Sequence, residues 1–94
     1  MNIQQEEQDG QGSFYIEDKG NRLAEMTYYL EEPDVMVIDH TEVDDALRGR
    51  NVGGELVDMG AEYARTKHLK IVPLCPFVKG IFEKTGSYND VWKS

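Results

Sequence analysis

The sequence predicts a single α+β domain, and three features support this prediction. Three strand-like segments separated by turn residues come first, a pattern typical of an antiparallel meander. A glycine-rich loop and a helical segment follow. A short apolar strand and a second helical segment then complete the order β-β-β-α-β-α. With 94 residues, the chain has the length of one small domain.

The meander is predicted from a short apolar run at residues 13–18 and from alternating side chains in residues 22–30 and 35–43. In the second strand, one apolar face consists of Ala24, Met26, Tyr28 and Leu30. In the third strand, the same period of two places His40 and Glu42 on the face of Met36 and Ile38. The opposite face of that strand would then consist of Val35, Val37, Asp39, Thr41 and Val43.

The second half of the chain predicts two helices around one strand. A helix over residues 53–67 has one buried stripe, formed by Val52, Leu56, Gly60, Tyr63 and Ala64. Pro73 lies inside the strand at 71–74 and cannot donate to a ladder, which favours a splayed or edge strand. Pro76 suits the first turn of a helix that ends at Gly86, and residues 88–92 form a last short strand.

The first twelve residues are mostly Gln, Glu, Asp and Gly, which predicts a disordered leader over 1–12 and a folded domain over 13–94. The absence of a long apolar run or of a basic segment before an apolar one predicts a cytoplasmic protein without a membrane span. The net charge of −8 argues against nucleic-acid binding. It either serves solubility or favours a cationic amine or basic peptide as substrate. A single cysteine and two distant histidines predict no metal site and no internal disulfide.

The segment between the third strand and the first helix has the features of an anion site. Arg48, Gly49, Arg50, Asn51, Val52, Gly53 and Gly54 bring two arginines and three glycines together in an acidic chain. A helix N-terminus offers unpaired N–H groups and partial positive charge. Asn51 is the kind of non-glycine residue that tolerates a left-handed backbone. These residues therefore predict either a phosphate-binding loop or a flexible loop that starts a helix.

This loop resembles the pyrophosphate loop of the GCN5-related N-acetyltransferases, whose pattern is Arg/Gln-x-x-Gly-x-Gly/Ala. The lead-in from Val43 to Arg48 is similar to that family's Val-x-Pro-x-x-Arg. Two residues depart from the pattern: Asn51 occupies the position of the first glycine, and Asp45 that of a common proline.

A second resemblance lies downstream, where the family often has Asn-Pro-x-Ala-x-x-Phe-Tyr-Glu-Lys-x-Gly-Phe. The register holds through Pro76, Glu83, Lys84 and Gly86, whereas Cys75 replaces the asparagine. Phe82 replaces a tyrosine that often protonates the leaving thiolate of coenzyme A. The chain is most similar to a subgroup of small, single-domain members with His-Thr-x-Val before the loop and Cys-Pro-Phe-Val after it. Here these motifs are residues 40–43 and 75–78.

The resemblance implies that the protein binds acetyl-CoA or coenzyme A and transfers acetyl groups to an amine. The amides of residues 49–54 would hold the pyrophosphate, and the end of the third strand near Val43 would bind the pantetheine arm. The resemblance also implies cofactor contacts for Arg48, Cys75, Lys79 and Phe82. Arg50, Lys79 and Lys84 would reach the adenine-side phosphate, or are merely solvated.

Three residues are candidates for catalysis. Cys75 comes just before a helix, which lowers a thiol pKa. It either accepts the acetyl group, forms a mixed disulfide with coenzyme A, or is a buried, inert thiol. His40 has the intrinsic pKa of a general base, and Glu42 would order a water or bind a cationic substrate. The alternative for His40 is a structural hydrogen bond. Tyr88 either replaces the missing tyrosine or packs in the core.

Two other functions are compatible with the sequence. Phe82, which has no proton to donate, favours a coenzyme A-binding module without catalysis. Asn51 favours an interaction protein that keeps the fold and has lost the ligand.

Overall fold

The computed structural model describes residues 2–93, which form one five-stranded sheet in the order β1-β2-β3-β4-β5. The strands are β1 (Gln4–Gln8), β2 (Gln11–Asp18), β3 (Asn21–Glu31), β4 (Val35–Val43) and β5 (Lys70–Pro73). The helices are α1 (Val52–Lys67) and α2 (Pro76–Thr85), and a single 3-10 turn covers Asp45–Leu47. The first four strands pair antiparallel, and β5 pairs parallel to β4. The predicted α+β meander is thus confirmed.

The N-terminal segment differs from the prediction. Residues 4–8 are not disordered, because they pair with β2 across a tight turn at Asp9 and Gly10. Both turn residues have positive φ, 55° and 77°, which is what a two-residue hairpin turn of the right twist requires. The prediction of disorder rested on the polar composition of this segment. An exposed edge strand can nevertheless form without apolar side chains, because its backbone hydrogen bonds to the neighbouring strand hold it in place.

Both helices contribute to one core on one side of the sheet. Gly60 of α1 lies against the methyl groups of Met26, Met36 and Ile38, and the absence of a Cβ allows this approach. Val78 and Phe82 of α2 belong to the same core cluster, in which both are buried. The predicted stripe of α1 is confirmed, with Val52, Leu56 and Ala64 buried.

The C-terminal elements also follow the sequence closely. The chain begins α2 at Pro76 and ends it before Gly86, whose φ is 70°, as predicted. β5 lies at the edge of the sheet, as Pro73 suggested. Residues 88–92 were predicted as a strand, but they form a turn with a single bridge between Trp92 and Ile71. Within residues 2–93, neither helix has the length and apolar character needed to cross a membrane.

Candidate active site

An extra residue in β4 sets the geometry of the site. Ile38 pairs with Tyr28 and His40 pairs with Thr27, so Asp39 has no partner on β3. Such a bulge reverses the alternation of side chains. Thr41 consequently pairs with the buried Met26 and shares its face.

The bulge overturns the predicted faces of β4. His40 and Glu42 do not share a face with Met36 and Ile38 but lie on the opposite one, away from α1. Their side chains are 60% and 76% exposed, and His40 Nε2 lies 3.4 Å from Glu42 Oε2. The structure therefore brings the two predicted acid–base residues together, on the face of β4 opposite Thr41.

β4 and β5 separate next to the bulge. Their parallel pairing ends at Ile38 and Pro73. The amides of Leu74 and Cys75 then both donate to the Ile38 carbonyl oxygen, at 3.0 and 3.2 Å. Among residues 2–93, no strand pairs with residues 39–43 on the side away from β3. The predicted splayed strand thus leaves an opening between the second half of β4 and the chain entering α2.

The glycine-rich loop starts α1 in the expected conformation. Gly49 and Asn51 have φ of 84° and 55°, so Asn51 occupies the left-handed region that its side chain was expected to tolerate. The Asn51 side chain does not cap the helix. Because the first turn of a helix has no intrahelical acceptors for its N–H groups, the amides of Val52, Gly53 and Gly54 suit an anionic ligand.

The N-termini of the two helices meet at this loop. A Cβ on Gly53 would lie 2.5 Å from Phe77 Cζ, so the glycine lets the Phe77 ring lie directly against the first turn of α1. Phe77 and Leu74 remain largely exposed, at 47% and 58%. The loop and the opening after β5 therefore share an apolar border.

The candidate cationic side chains of the loop and of α2 are surface groups. Arg48 is 80% exposed and its guanidinium lies 2.6 Å from Asp45 Oδ1. Arg50, Lys79 and Lys84 are exposed, and Lys84 lies in the last turn of α2, at the end away from the loop. Arg48 would therefore have to share its charge between Asp45 and a bound phosphate.

Cys75 occupies the residue before α2 and is only 6% exposed. Its Sγ lies 3.5 Å from Thr41 Oγ1. Burial raises the pKa of this thiol, but the Thr41 side chain and the backbone of Val78, Phe77 and Thr41 outweigh burial and lower the pKa overall. The group is therefore a thiol with increased thiolate character, as the helix position suggested.

Phe82 lies in the core rather than at the surface. It is 1% exposed, and its ring stacks on Tyr88 at 5.3 Å and meets Trp92 edge-on at 5.6 Å. Tyr88 donates a hydrogen bond of 3.2 Å to Asp58 Oδ1. Burial, followed by the charge of Asp58, raises the pKa of Tyr88. Both aromatic residues thus stabilise the packing of the C-terminal turn on the helices.

Two surface cavities adjoin these elements. One, of about 440 Å³, borders the end of β4 and is lined by Arg22, Leu23, Ala24, Glu25, Glu42, Val43, Asp44 and Asp45. The other, of about 500 Å³, reaches the loop at Asn51 and Gly54 and has Glu55 and Asp58 on its wall. The first cavity is acidic and next to Val43, where the pantetheine arm was expected. Within residues 2–93, His, Cys, Asp and Glu side chains form no group suited to hold a metal ion.

Thr41 lies at the site although no sequence pattern points to it. Thr41 was placed on the face opposite Met36 and Ile38 and received no role, yet it is the side chain that contacts Cys75. The bulge at Asp39 places Thr41 on the same face as Met26. A bulge formed by one ordinary residue cannot be recognised from the alternation of polar and apolar residues in the sequence.

Comparison with known proteins now identifies the family. A family profile described as GCN5-related N-acetyl-transferase matches residues 13–91. This chain belongs to that family. Among curated protein sequences, none matches the chain.

Solved structures agree with this assignment. A GCN5-like protein of Staphylococcus aureus, assigned as an N-acetyltransferase, is similar with a TM-score of 0.76 and 39% identity, covering 99% of this chain and 90% of that chain. The ribosomal-protein-alanine N-acetyltransferase of Brucella melitensis biovar Abortus 2308 shares the fold with a TM-score of 0.65 and 24% identity, over 82% of this chain and 64% of that chain. The aminoglycoside N-acetyltransferase AAC(6')-Iy, solved in complex with CoA, shares it with a TM-score of 0.66 and 11% identity, over 87% of each chain.

Proposed function

We propose that this protein binds acetyl-CoA in the opening between β4 and α2 and transfers the acetyl group to an amine. The observation that carries the proposal is the separation of β4 from β5, which lies beside the N-terminus of α1 and the Cys75 thiol. Membership of the family supports the same reaction.

The loop would hold the pyrophosphate of the cofactor. Within residues 49–54, the amides of Val52, Gly53 and Gly54 would direct partial positive charge at the anion, whereas the Arg50 amide donates to the Leu47 carbonyl oxygen at 3.3 Å. The exposed side chains of Arg48, Arg50 and Lys79 would add positive charge around it. The backbone of β4 near Val43 would bond the pantetheine arm, because β5 leaves that edge uncovered. Phe82 would influence the cofactor only through its packing beneath this region, since its side chain is 1% exposed.

The acetyl group has two routes to the amine. In the first, the Cys75 thiolate attacks the thioester carbonyl, coenzyme A leaves as its thiolate, and the amine then attacks the acetyl-cysteine. In the second, the amine attacks acetyl-CoA directly. In both routes the attacking amine loses a proton, for which His40 paired with Glu42 is the proposed base. Backbone amides beside the opening would stabilise the oxyanion.

The acidic cavity at the end of β4 favours a cationic acceptor. Glu25, Glu42, Asp44 and Asp45 outnumber Arg22 on its wall. An alkylammonium group or a basic peptide is attracted to such a surface at low ionic strength. The acceptor is therefore proposed to be an amine that carries positive charge before it is deprotonated.

The second candidate function is coenzyme A binding without transfer. Phe82 favours it, because phenylalanine has no proton to give to the leaving thiolate. In that case the protein would bind both coenzyme A and acetyl-CoA, and an amine panel would give background turnover.

Calorimetric titration with coenzyme A and acetyl-CoA tests the binding step. Asn51→Asp places a negative charge beside the proposed pyrophosphate, so it should abolish binding. Asn89→Asp makes the same change at an exposed residue of the C-terminal turn and serves as the matched control. Equal affinities for the wild type and Asn51→Asp would place the cofactor elsewhere, and no binding by the wild type would reject the proposal.

Acetyl transfer is tested with an amine panel and a Cys75→Ala, His40→Ala double variant. The rate should fall towards background, since the variant removes both the acyl acceptor and the base. A rate equal to that of the wild type would show that neither residue is catalytic. Turnover above background by the wild type would reject the binding-only alternative.

A further inference from the structure

Cys75 has a hydroxyl partner on β4, across the opening between the two chain segments. Thr41 lies three residues beyond Ile38, the last β4 residue that pairs with β5, and Cys75 lies two residues beyond Pro73. The 3.5 Å contact between Cys75 Sγ and Thr41 Oγ1 therefore bridges the two strands after they have separated. The Thr41 side chain, which lies on the β4 side of the opening, thus holds the Cys75 thiol in place.

This contact depends on the bulge at Asp39. With a regular period of two, Thr41 would lie on the face opposite Met36 and Ile38, away from the core. The unpaired Asp39 moves Thr41 to the core side, opposite Met26, where Cys75 is also buried. Thr27 holds the bulged residue, because its Oγ1 donates a hydrogen bond of 2.6 Å to Asp39 Oδ1.

Among the described residues 2–93, no charged side chain is a cause of the shift in the pKa of Cys75. The groups that act on its pKa are burial, the Thr41 hydroxyl and backbone groups of Val78, Phe77 and Thr41. His40 lies on the opposite face of β4, where its Nε2 is 3.4 Å from Glu42 Oε2. Stabilisation of this thiolate therefore rests on neutral hydrogen-bond donors.

We propose that Thr41 is the positioning residue of the Cys75 thiol. In the neutral state the thiol donates its hydrogen to Thr41 Oγ1. When the thiol ionises, the hydroxyl rotates and donates to Sγ, as a hydroxyl carries both a donor and an acceptor. The same bond keeps Sγ in the opening, where it would attack the acetyl thioester. The role in acyl transfer rests on the proposed function, whereas the effect on the thiol does not.

Titration of the thiol tests the proposal without any cofactor. The chain has one cysteine, so the pH dependence of alkylation by iodoacetamide reports Cys75 alone. Thr41→Val replaces the hydroxyl by a methyl group of similar size, and Thr41→Ser keeps the hydroxyl. The thiol pKa should rise by about one unit in Thr41→Val, a typical effect of losing one hydrogen bond to a charged form, and stay close to the wild-type value in Thr41→Ser.

Thr66→Val is the matched control, because it removes a threonine hydroxyl from an exposed position of α1. It should leave the thiol pKa within about 0.3 units of the wild type, since the hydroxyl that contacts the thiol belongs to Thr41. Circular dichroism establishes that each variant is folded. An unchanged thiol pKa in Thr41→Val, or an equal rise in Thr41→Ser, would overturn the positioning role.

A second measurement separates this role from the proposed function. Incubation with acetyl-CoA followed by mass spectrometry detects acetyl-Cys75, and the pH at which acylation reaches half its maximal rate should follow the thiol pKa in each variant. An altered titration in Thr41→Val without acetylation of the wild type would reject Cys75 as the acyl acceptor but keep Thr41 as the partner of the thiol. A pH profile of acylation that is identical in the wild type and Thr41→Val would overturn the role of Thr41 in transfer.

Discussion

The hydroxyl of Tyr63 donates a hydrogen bond of 2.6 Å to Glu7 Oε1 and so joins α1 to β1 across most of the chain. The Tyr28 hydroxyl donates to the same oxygen at 2.7 Å and accepts from Gln5 Nε2 at 2.8 Å. All five residues of β1 are exposed, so this strand buries no apolar side chain of its own. Its attachment therefore depends on the ladder with β2, on these tyrosines and on the ion pair of Glu6 with Arg22 at 2.9 Å.

Replacement of Glu7 by alanine should destabilise the fold by about 1–2 kcal/mol, because two tyrosine hydroxyls lose their acceptor. Gln8→Ala, an exposed change in the same strand, should cost less than about 0.5 kcal/mol. Urea unfolding measures both. Equal losses for the two variants would show that Glu7 contributes only as a strand residue.

Stability should fall at alkaline pH through Tyr63. Burial, with the hydrogen bond to Glu7 next, raises the pKa of Tyr63 to about 12, above the value of about 10 in an unfolded chain. The folded state therefore holds the proton more tightly, and this contribution is complete below pH 10 and is lost as the pH rises towards 12. Urea unfolding at pH 9 and pH 11 should show the decrease, and Tyr63→Phe should reduce it. Tyr28 has a raised pKa for the same first cause, so some decrease will persist in that variant.

Two glycines should respond oppositely to alanine. A Cβ at Gly12 would lie 2.5 Å from the Glu6 carbonyl oxygen and 2.6 Å from the Tyr28 hydroxyl, so Gly12→Ala should cost about 1–3 kcal/mol. Gly80 lies within α2, and a Cβ there meets nothing within 4 Å. Gly80→Ala should therefore stabilise the protein by about 0.5–1 kcal/mol through helix propensity. Thermal unfolding measures the change in stability of each variant. If both variants were stabilised or both destabilised, the close packing around Gly12 would be contradicted.

Truncation of the Arg65 side chain should increase local opening of the C-terminal turn. Its Nε and one terminal nitrogen bond the two carboxylate oxygens of Asp90 at 2.8 and 3.0 Å, and that nitrogen also donates to the Ser87 carbonyl oxygen. Hydrogen exchange at Val91 and Lys93 should accelerate in Arg65→Ala and, to a smaller extent, in Arg65→Lys, which lacks the planar fork. Unchanged exchange in Arg65→Ala would show that the backbone bridges to Ile71 suffice.

The contribution of the Arg65–Asp90 ion pair to stability should decrease in acid. The hydrogen bond from Arg65 lowers the pKa of Asp90 below its ordinary value. Its contribution to stability is therefore present above the pKa of an unfolded aspartate and is lost as the pH falls through the lower, folded value. Unfolding curves between pH 7 and pH 3 should converge for the wild type and Arg65→Ala. A constant difference across that range would contradict the ion pair.

The sequence predicts the parts of this fold that depend on local rules. Proline and glycine mark the two ends of α2, and Asn51 identifies a left-handed residue before α1. Pro73 indicates an edge strand because it lacks a donor. In each case one residue type restricts the backbone at its own position, so no distant contact is needed for the inference.

The parts that were missed depend on pairing between strands. β1 has no apolar face, although Asp9 and Gly10 form the kind of dipeptide that favours a hairpin. The bulge at Asp39 depends on its register with β3, and neither residue type nor periodicity reveals it. That single error placed His40 and Glu42 on the wrong face and hid the contact of Thr41 with Cys75.

The unpaired Asp39 also makes the length of β4 unusually sensitive to mutation. Loss of that one codon would preserve every neighbouring amino acid but rotate residues 40–43 by half a period, exchanging His40 and Glu42 with Thr41 and Val43 across the sheet. A deletion scan along β4 should therefore find this position as intolerant as the buried Ile38, although Asp39 is exposed. Tolerance of the deletion with retained thiol reactivity would contradict this view. Insertions and deletions at this position should therefore disrupt the site more than substitutions do.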